Sequence, residues 1–186
     1  MESGKEMKNQ RMLDELTELM RIDVSSGQET EIAEHLVKKL EQMGFAITRD
    51  EAGATFGGVC GNILAVREGE RDGVVCFCSH MDRVPGGIGI KPVEEDGILR
   101  SSGDTILAAD DLSGVAAILE GVRQAIESGK ALPKLEILFT VGEEAGLYGA
   151  KAFDVSLLTS KTMYVLDSPG PVSYTHLRAH ETLANL

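Results

Sequence analysis

The sequence is short of cysteine and of positive charge, and each shortage excludes a class of protein. Three cysteines among 186 residues are too few, and odd in number, for a disulfide framework. Cys76 and Cys78 lie in an apolar run, which favours reduced, buried thiols, with a Cys-x-Cys metal site as the alternative. Because 18 Lys and Arg face 30 Asp and Glu, the net charge is -12, which argues against nucleic acid or an anionic membrane as a partner.

Long hydrophobic runs are also missing. No stretch approaches the ~18 consecutive apolar residues of a membrane span. The N-terminal MESGKEMKNQ has no apolar core behind its charges, so it does not resemble a secretory signal. We therefore predict a cytoplasmic protein. Its length and its 42% hydrophobic content fit one domain with a single core.

Hydrophobic spacing predicts alternating helices and strands. Apolar residues three and four apart indicate helices over about 13–20, 32–43, 112–127 and 147–153. Ser26-Gly-Gln-Glu29 has the spacing of a capping box that opens the second helix, and Gly44 is its expected stop. Strands are predicted at 45–49, 62–67, 74–78, 135–141 and 162–166. Strands separated by helices predict an α/β architecture with a largely parallel sheet.

Side chains able to bind metal follow three of these strands. They are His80 and Asp82 after the third strand, Glu143 and Glu144 after the fourth, and Asp167 after the fifth; Asp110 and Asp111 precede a helix. Each alone has an ordinary explanation as a turn residue, a helix cap or a core histidine. Because the carboxyl ends of parallel strands meet at one edge of a sheet, their conjunction predicts a metal site.

One histidine with several carboxylates suits zinc or a similar divalent ion, and carboxylates can bridge two ions. Neighbouring residues in an extended chain point to opposite sides, so Glu143 and Glu144 could divide the work, one binding metal and the other facing a substrate water. Asp82, two residues after His80, could accept the second imidazole N–H and fix the tautomer.

Four segments resemble, in order, the motifs of the di-zinc aminopeptidase/carboxypeptidase/aminoacylase superfamily, most closely its peptidase T-like branch. They are Ser79-His-Met-Asp82, Ile106-Leu-Ala-Ala-Asp110-Asp111-Leu-Ser-Gly114, Phe139-Thr-Val-Gly-Glu143-Glu144-Ala-Gly146 and Val165-Leu-Asp167. The resemblance extends over about 13–171. It implies a three-layer α/β zinc-exopeptidase-like catalytic domain with a mostly parallel mixed sheet, which removes the N-terminal residue from short peptides.

The resemblance also implies a role for each site residue. His80 and Asp167 would bind the first metal, Glu144 the second, and Asp110 would bridge both. Asp82 would orient His80, and Glu143 would be the general base. The two ions would be zinc, with cobalt or manganese as alternatives. The family's peptide bond after the bridging Asp is typically cis, so a cis bond is expected at Asp110-Asp111. Arg83 and Ala109 depart from the family pattern and are expected to alter the pocket.

Members of this superfamily are longer, with a lid or dimerisation domain inserted after the Asp167 strand and a late His ligand. We therefore expect residues 1–171 to be a partial catalytic domain, truncated before that lid and its homodimer contact. Residues 172–186 resemble an adaptor- or vector-derived tail, so His176 and His180 are not expected to be ligands. The chain alone is expected to be weakly active or inactive. Two alternatives stay open: deacylation of N-acyl amino acids by the same site, and a non-catalytic metal-binding or interaction module.

Overall fold

The protein was analysed as a computed structural model that describes residues 2–167 and 173–176, with side chains described for 10–167. Helices α1 to α4 span Glu2–Met20, Thr30–Gln42, Ala109–Glu127 and Tyr148–Ala152. Strands β1 to β8 span Ala46–Arg49, Ile63–Arg67, Val74–His80, Pro92–Glu95, Ile98–Ser101, Lys134–Thr140, Thr162–Val165 and Ser173–His176. Short 3-10 turns lie at Ala52–Thr55 and Val155–Leu157.

Six of the strands form one mixed sheet in the order β1-β2-β6-β3-β7-β8. The central strands β6, β3 and β7 run parallel to one another. Strands β1 and β2 on one side, and β8 on the other, join antiparallel. The predicted α/β class is confirmed, and the three parallel strands end at the same edge of the sheet.

Successive side chains along each strand point to opposite faces of the sheet, so the core is divided between the two faces. Ile63, Ala65, Ile137 and Phe139 pack in the larger cluster with α1, α2 and α3. The intervening side chains meet residues that follow α4 on the other face. That smaller cluster contains Leu64, Cys76, Cys78, Leu138, Phe153 and Met163. The three layers are the helices α1, α2 and α3 on one face, the sheet, and the residues of the smaller cluster on the other face.

The cysteines are reduced, as their sequence context predicts. All three cysteines are free, and Cys76 and Cys78 are buried, as the apolar run predicts. Burial raises the pKa of the Cys60 thiol to about 11 and that of Cys78 to about 12. Within the described ranges, no helix combines the length and the hydrophobicity needed to cross a bilayer.

The predicted capping box is wrong. Helix α2 begins at Thr30, and the residue before it, Glu29, makes no side-chain capping bond. The Ser26 hydroxyl instead donates to the carboxylate of Asp82, and the Glu29 carboxylate accepts the N–H groups of Gly27 and Gly142. Both side chains make tertiary contacts instead of a helix cap. Glu29 supplies an acceptor to the buried N–H of Gly142, and Ser26 supplies a donor to the buried carboxylate of Asp82.

Other elements differ from the predicted ones in extent or were missed. Helix α1 begins at Glu2, well before the predicted start at residue 13. The β4–β5 hairpin was not predicted, although its Asp96-Gly97 turn, with φ of 53° and 74°, is a strong hairpin signal. The sequence interpretation excluded residues 173–176 from the fold, but the structure pairs them with β7. His180 and the proposed boundary at 171 lie outside the described residues.

Candidate metal centre

The three central parallel strands deliver the candidate ligands to one edge of the sheet. His80 is the last residue of β3 and pairs with Thr140 at the end of β6. Metal-capable atoms of His80, Asp110 and Asp167 lie within 4.8 Å of one another, and so do those of His80, Glu143 and Glu144. The structure therefore brings the five side chains together around one imidazole, while their binding of metal stays a prediction.

The imidazole of His80 is buried and held at both nitrogens. Nδ1 lies 3.2 Å from the backbone oxygen of Asp82 and 3.3 Å from its carboxylate. Nε2 lies 3.2 Å from Asp110 Oδ1 and 3.9 Å from Glu143 Oε2. Burial alone would lower the pKa of His80, but Asp82 and other nearby carboxylates outweigh it and raise the pKa to about 9. With Nδ1 directed at Asp82, Nε2 is the nitrogen that faces the acidic side chains.

Asp82 is fully buried and joins two loops of the site. Its carboxylate accepts the backbone N–H of Glu143 at 2.9 Å, that of Glu144 at 3.1 Å, and the hydroxyl of Ser26. Burial alone would raise the pKa of Asp82, but these donors and His80 lower it below its usual value. An ionised Asp82 therefore fixes both the imidazole and the turn that carries the two glutamates.

The two aspartates at the head of α3 have different surroundings. Their peptide bond is cis, as expected. The Asp110 side chain is 74% exposed and faces His80. Asp111 is buried and accepts the Ser79 hydroxyl and the N–H of Gly114. Its backbone, with φ of -114° and ψ of 33°, is not helical, so Asp111 caps the regular part of α3, which was the ordinary alternative for this residue. Burial raises the pKa of Asp111 to about 7.

The donor set carries an excess of negative charge. Burial, together with neighbouring carboxylates, raises the pKa of Glu143 and of Glu144 against the opposing effect of His80. Carboxylates concentrated in this way around one imidazole are disfavoured by mutual repulsion, and a divalent cation would relieve it. A set of one nitrogen and several oxygens also matches the ligands of zinc, cobalt and manganese. The residues present therefore fit a metal centre.

Arg83 lies next to the site but is directed away from it. Its side chain is fully buried, and the guanidinium donates to the backbone oxygens of Leu19 and Met20, each at 3.3 Å, and of Gly87 at 3.0 Å. It therefore ties the loop after His80 to the end of α1, and its charged group faces backbone oxygens of that helix end and of Gly87. Ala109 begins α3 beside Asp110.

Two residues of the site were missed by sequence reasoning. Ser26 and Glu29 were assigned to a helix cap, but they bond to Asp82 and Gly142, which are 56 and 113 residues away in the chain. No local pattern can distinguish this role from capping, because the same short polar residues serve both. The local hint is the glycine at position 27, because glycine favours a turn over a helix start. In the structure, Gly27 has a φ of 84°.

Comparison with known proteins places these features in a family context. Residues 62–170 match the sequence profile described as peptidase family M28. The uncharacterised protein YqjE of Bacillus subtilis (strain 168) is 39% identical over 163 residues, which are 87% of this chain and 44% of YqjE.

Two solved structures share the fold at substantial identity. The aminopeptidase PepT of Bacillus cereus ATCC 10987 superposes with a TM-score of 0.84 at 40% identity, covering 87% of this chain and 44% of that one. A tripeptidase of Staphylococcus aureus superposes with a TM-score of 0.81 at 34% identity, covering 86% and 43%. The chain thus spans less than half the length of these relatives.

Proposed function

The chain belongs to peptidase family M28, and from that premise we propose that it forms part of a metal-dependent aminopeptidase that removes the N-terminal residue from short peptides. The observation that carries the proposal is the position of His80, whose Nε2 faces carboxylates from the α3 and β6 loops while Nδ1 is held by Asp82. The solved relatives, an aminopeptidase and a tripeptidase, support short peptides as the substrate class.

The proposal assigns each side chain a role. His80 and Asp167 would hold a first ion, Glu144 would hold a second, and Asp110 would be shared by both. The ions are proposed to be zinc, with cobalt or manganese as substitutes. When bound, such ions lower the pKa of a coordinated water toward ~7 and polarise a carbonyl oxygen.

Glu143 is proposed as the general base. Burial and the nearby carboxylates raise its pKa above the usual value, which increases its ability to accept a proton near neutral pH. Its backbone N–H is held by Asp82 at 2.9 Å, so its position is fixed from the main chain while the carboxylate stays free to face a substrate. The proton that it accepts would pass to the leaving amine.

The division of the chain is also a proposal. Residues 1–171 would be a partial catalytic domain and residues 172–186 a non-native tail. The coverage of about 44% of PepT supports the partial domain, because more than half of the relative has no counterpart here. The proposed tail rests on its sequence alone, and four of its residues pair with β7. We accordingly propose that this chain alone is weakly active or inactive, and that cytoplasmic location and dimerisation through a lid belong to the whole protein.

The test compares Glu143→Gln with the parent in a chain extended to the length of its relatives. We expect the variant to keep its zinc content, measured by elemental analysis, and to lose tripeptide hydrolysis by at least ~100-fold. Glu94→Gln, an exposed substitution in β4, is the control and should leave both unchanged.

Parallel assays with N-acyl amino acids decide the reaction. Hydrolysis of N-acyl amino acids without hydrolysis of tripeptides would show that the enzyme is a deacylase and not a peptidase. Zinc binding with no turnover of either substrate would indicate a binding module. Hydrolysis by the 186-residue chain at the rate of the extended one would overturn the proposed incompleteness.

A further inference from the structure

Three successive backbone N–H groups in the turn after β6 are all bonded to buried carboxylates. Gly142 donates to Glu29 at 3.0 Å, and Glu143 and Glu144 donate to Asp82 at 2.9 and 3.1 Å. Both acceptors are fully buried, with 0% of either residue exposed. Two carboxylates from elsewhere in the chain therefore hold the N–H groups of this turn. The turn's own backbone bonds hold its carbonyl oxygens, since Glu143 accepts from Gly146 and Gly142 accepts from Tyr148.

Both carboxylates are linked to one short segment, residues 26–29. Glu29 belongs to it directly, and its Oε1 also accepts the N–H of Gly27 at 2.8 Å. Ser26 at its other end donates to Oδ2 of Asp82. The segment therefore contacts the turn twice, once through its own carboxylate and once through Asp82, which in turn holds the His80 ring.

The turn begins with a residue whose backbone conformation is unusual. Gly142 has a φ of 58°, and a Cβ at this position would lie 2.6 Å from the ring of Phe56. Only glycine fits there without displacing the ring, and glycine leaves the backbone free to adopt other conformations. The bond from Gly142 to Glu29 removes this freedom immediately before the two glutamates of the site.

We propose that Glu29 is a positioning residue, which fixes the Gly142 N–H and thereby holds in place both Glu143, the proposed base, and Glu144, the proposed metal ligand. Ser26 assists through Asp82. The consequence for metal binding rests on the proposed function, whereas the positioning of the turn does not. Outer residues that orient metal ligands typically change metal affinity by about 10–100-fold when removed.

A matched control exists in β6. Glu136 is also 0% exposed, and its carboxylate also accepts two backbone N–H groups, those of Thr159 and Ser160 at 2.8 and 3.0 Å. It lies four positions before the end of the strand, away from the turn. Glu29→Ala and Glu136→Ala therefore remove the same kind of buried acceptor, and only the first contacts the turn.

The experiment measures hydrogen exchange and zinc affinity on the 186-residue chain. Glu29→Ala should speed amide exchange in residues 142–146 without metal and weaken Zn²⁺ binding, measured against a chromophoric chelator, by about 10–100-fold. Glu136→Ala should speed exchange in 158–161 and change Zn²⁺ affinity by less than about twofold. Glu29→Gln should restore the parent behaviour, because the amide oxygen can accept both N–H groups.

Ser26→Ala is the second variant, in case Glu29→Ala does not fold. It removes one half-buried hydroxyl and should weaken Zn²⁺ binding by about threefold to tenfold. Unchanged exchange at 142–146 in Glu29→Ala, or equal losses of zinc affinity in Glu29→Ala and Glu136→Ala, would overturn the inference. If the parent binds no Zn²⁺ while the exchange pattern holds, the metal-binding role proposed for this chain's residues fails and the positioning role stands.

Discussion

At the scale of single residues, the two aspartates at the start of α3 show how adjacent acids acquire separate tasks. The Asp110 carboxylate is mostly exposed and lies 3.2 Å from His80, whereas the Asp111 carboxylate is enclosed and bonded to Ser79 and Gly114. Solvent stabilises the first, and donors within the protein stabilise the second. Removal of the Asp110 carboxylate should therefore affect metal binding, and removal of the Asp111 carboxylate should affect folding stability.

We predict that Asp110→Ala weakens Zn²⁺ binding by at least ~10-fold and changes unfolding free energy by less than about 0.5 kcal/mol, because an exposed side chain contributes little to stability. Asp111→Ala should cost about 1–2 kcal/mol, since it leaves the buried N–H of Gly114 without its acceptor and leaves the Ser79 hydroxyl only the backbone oxygen of residue 111, at 3.2 Å. Urea unfolding of the metal-free chain and zinc titration measure the two effects. Equal loss of stability in both variants would contradict the division of tasks.

At the scale of elements, an ion-pair network joins the three helices on one face of the sheet. Glu15 of α1 is 4% exposed and bonds to Lys39 of α2 at 2.8 Å and to Arg123 of α3 at 3.0 Å. Burial alone would raise the pKa of Glu15, but its basic neighbours outweigh it and lower the pKa to about 2. The network is thus a link between helices whose strength depends on pH.

A carboxylate with a lowered folded pKa stabilises the protein above its unfolded pKa, about 4.3, and loses that effect as the pH falls through the folded value. Glu15→Gln should therefore destabilise the chain by about 2 kcal/mol at pH 7. The difference from the parent should shrink as the pH falls from about 5 toward about 2. Urea titrations across that range measure it.

Glu18→Gln is the matched control for this prediction. Glu18 bonds to the same Lys39, at 2.7 Å, but its side chain is 52% exposed. An exposed ion pair is screened by solvent, so its loss should change stability by less than about 0.5 kcal/mol. A Glu15→Gln effect that is equally small, or one that does not vary with pH, would show that burial does not strengthen this network.

Helix α4 depends on one glycine for its contact with the sheet. A Cβ on Gly149 would lie 2.3 Å from the oxygen of Val141 and 2.4 Å from Oδ1 of Asn62, so Gly149→Ala should destabilise the chain by about 1–3 kcal/mol. Gly121 in α3 has no atom within 4 Å of its Cβ position. Gly121→Ala should stabilise the chain by about 0.5–1 kcal/mol through helix propensity. Thermal unfolding measures the midpoint temperature of each variant. A shift of the same sign in Gly149→Ala and Gly121→Ala would refute the packing argument.

The elements show what a sequence can predict here. The apolar spacing of α2, α3, β3 and β6 predicts each of them, since each buries one stripe or both faces and needs only local periodicity. The strand ends then bring His80, Glu143 and Asp167 to one edge by topology alone. The Ser26–Glu29 segment could not be assigned, because its function depends on bonds to Asp82 and Gly142 that only the folded chain forms.

At the scale of the whole molecule, high charge coexists with an apolar groove. The chain carries a net charge of -12, yet one side of α3 borders a space of about 320 Å³ whose lining is almost wholly apolar. The lining includes Val75, Phe77, Ala117, Gly121, Ala125, Leu132, Leu135 and Leu166. The side chains that line the groove are buried or half-buried, so the apolar surface it offers is small. Such a surface favours association, while the net charge opposes it through repulsion.

The balance between these two forces predicts a dependence on salt. The Debye length falls from about 30 Å at 0.01 M salt to about 8 Å at 0.15 M, so added salt weakens repulsion between molecules and leaves the apolar surface unchanged. Light scattering of the native chain should rise with salt, while the fluorescence of bound anilinonaphthalene sulfonate, a dye for apolar surface, is already present at low salt. Ala125→Glu places a charge in the groove and should reduce both signals, whereas Ala150→Glu on exposed α4 should reduce neither by much. If the scattering intensity does not change with salt, or if Ala125→Glu leaves it unchanged, surfaces other than this groove govern association.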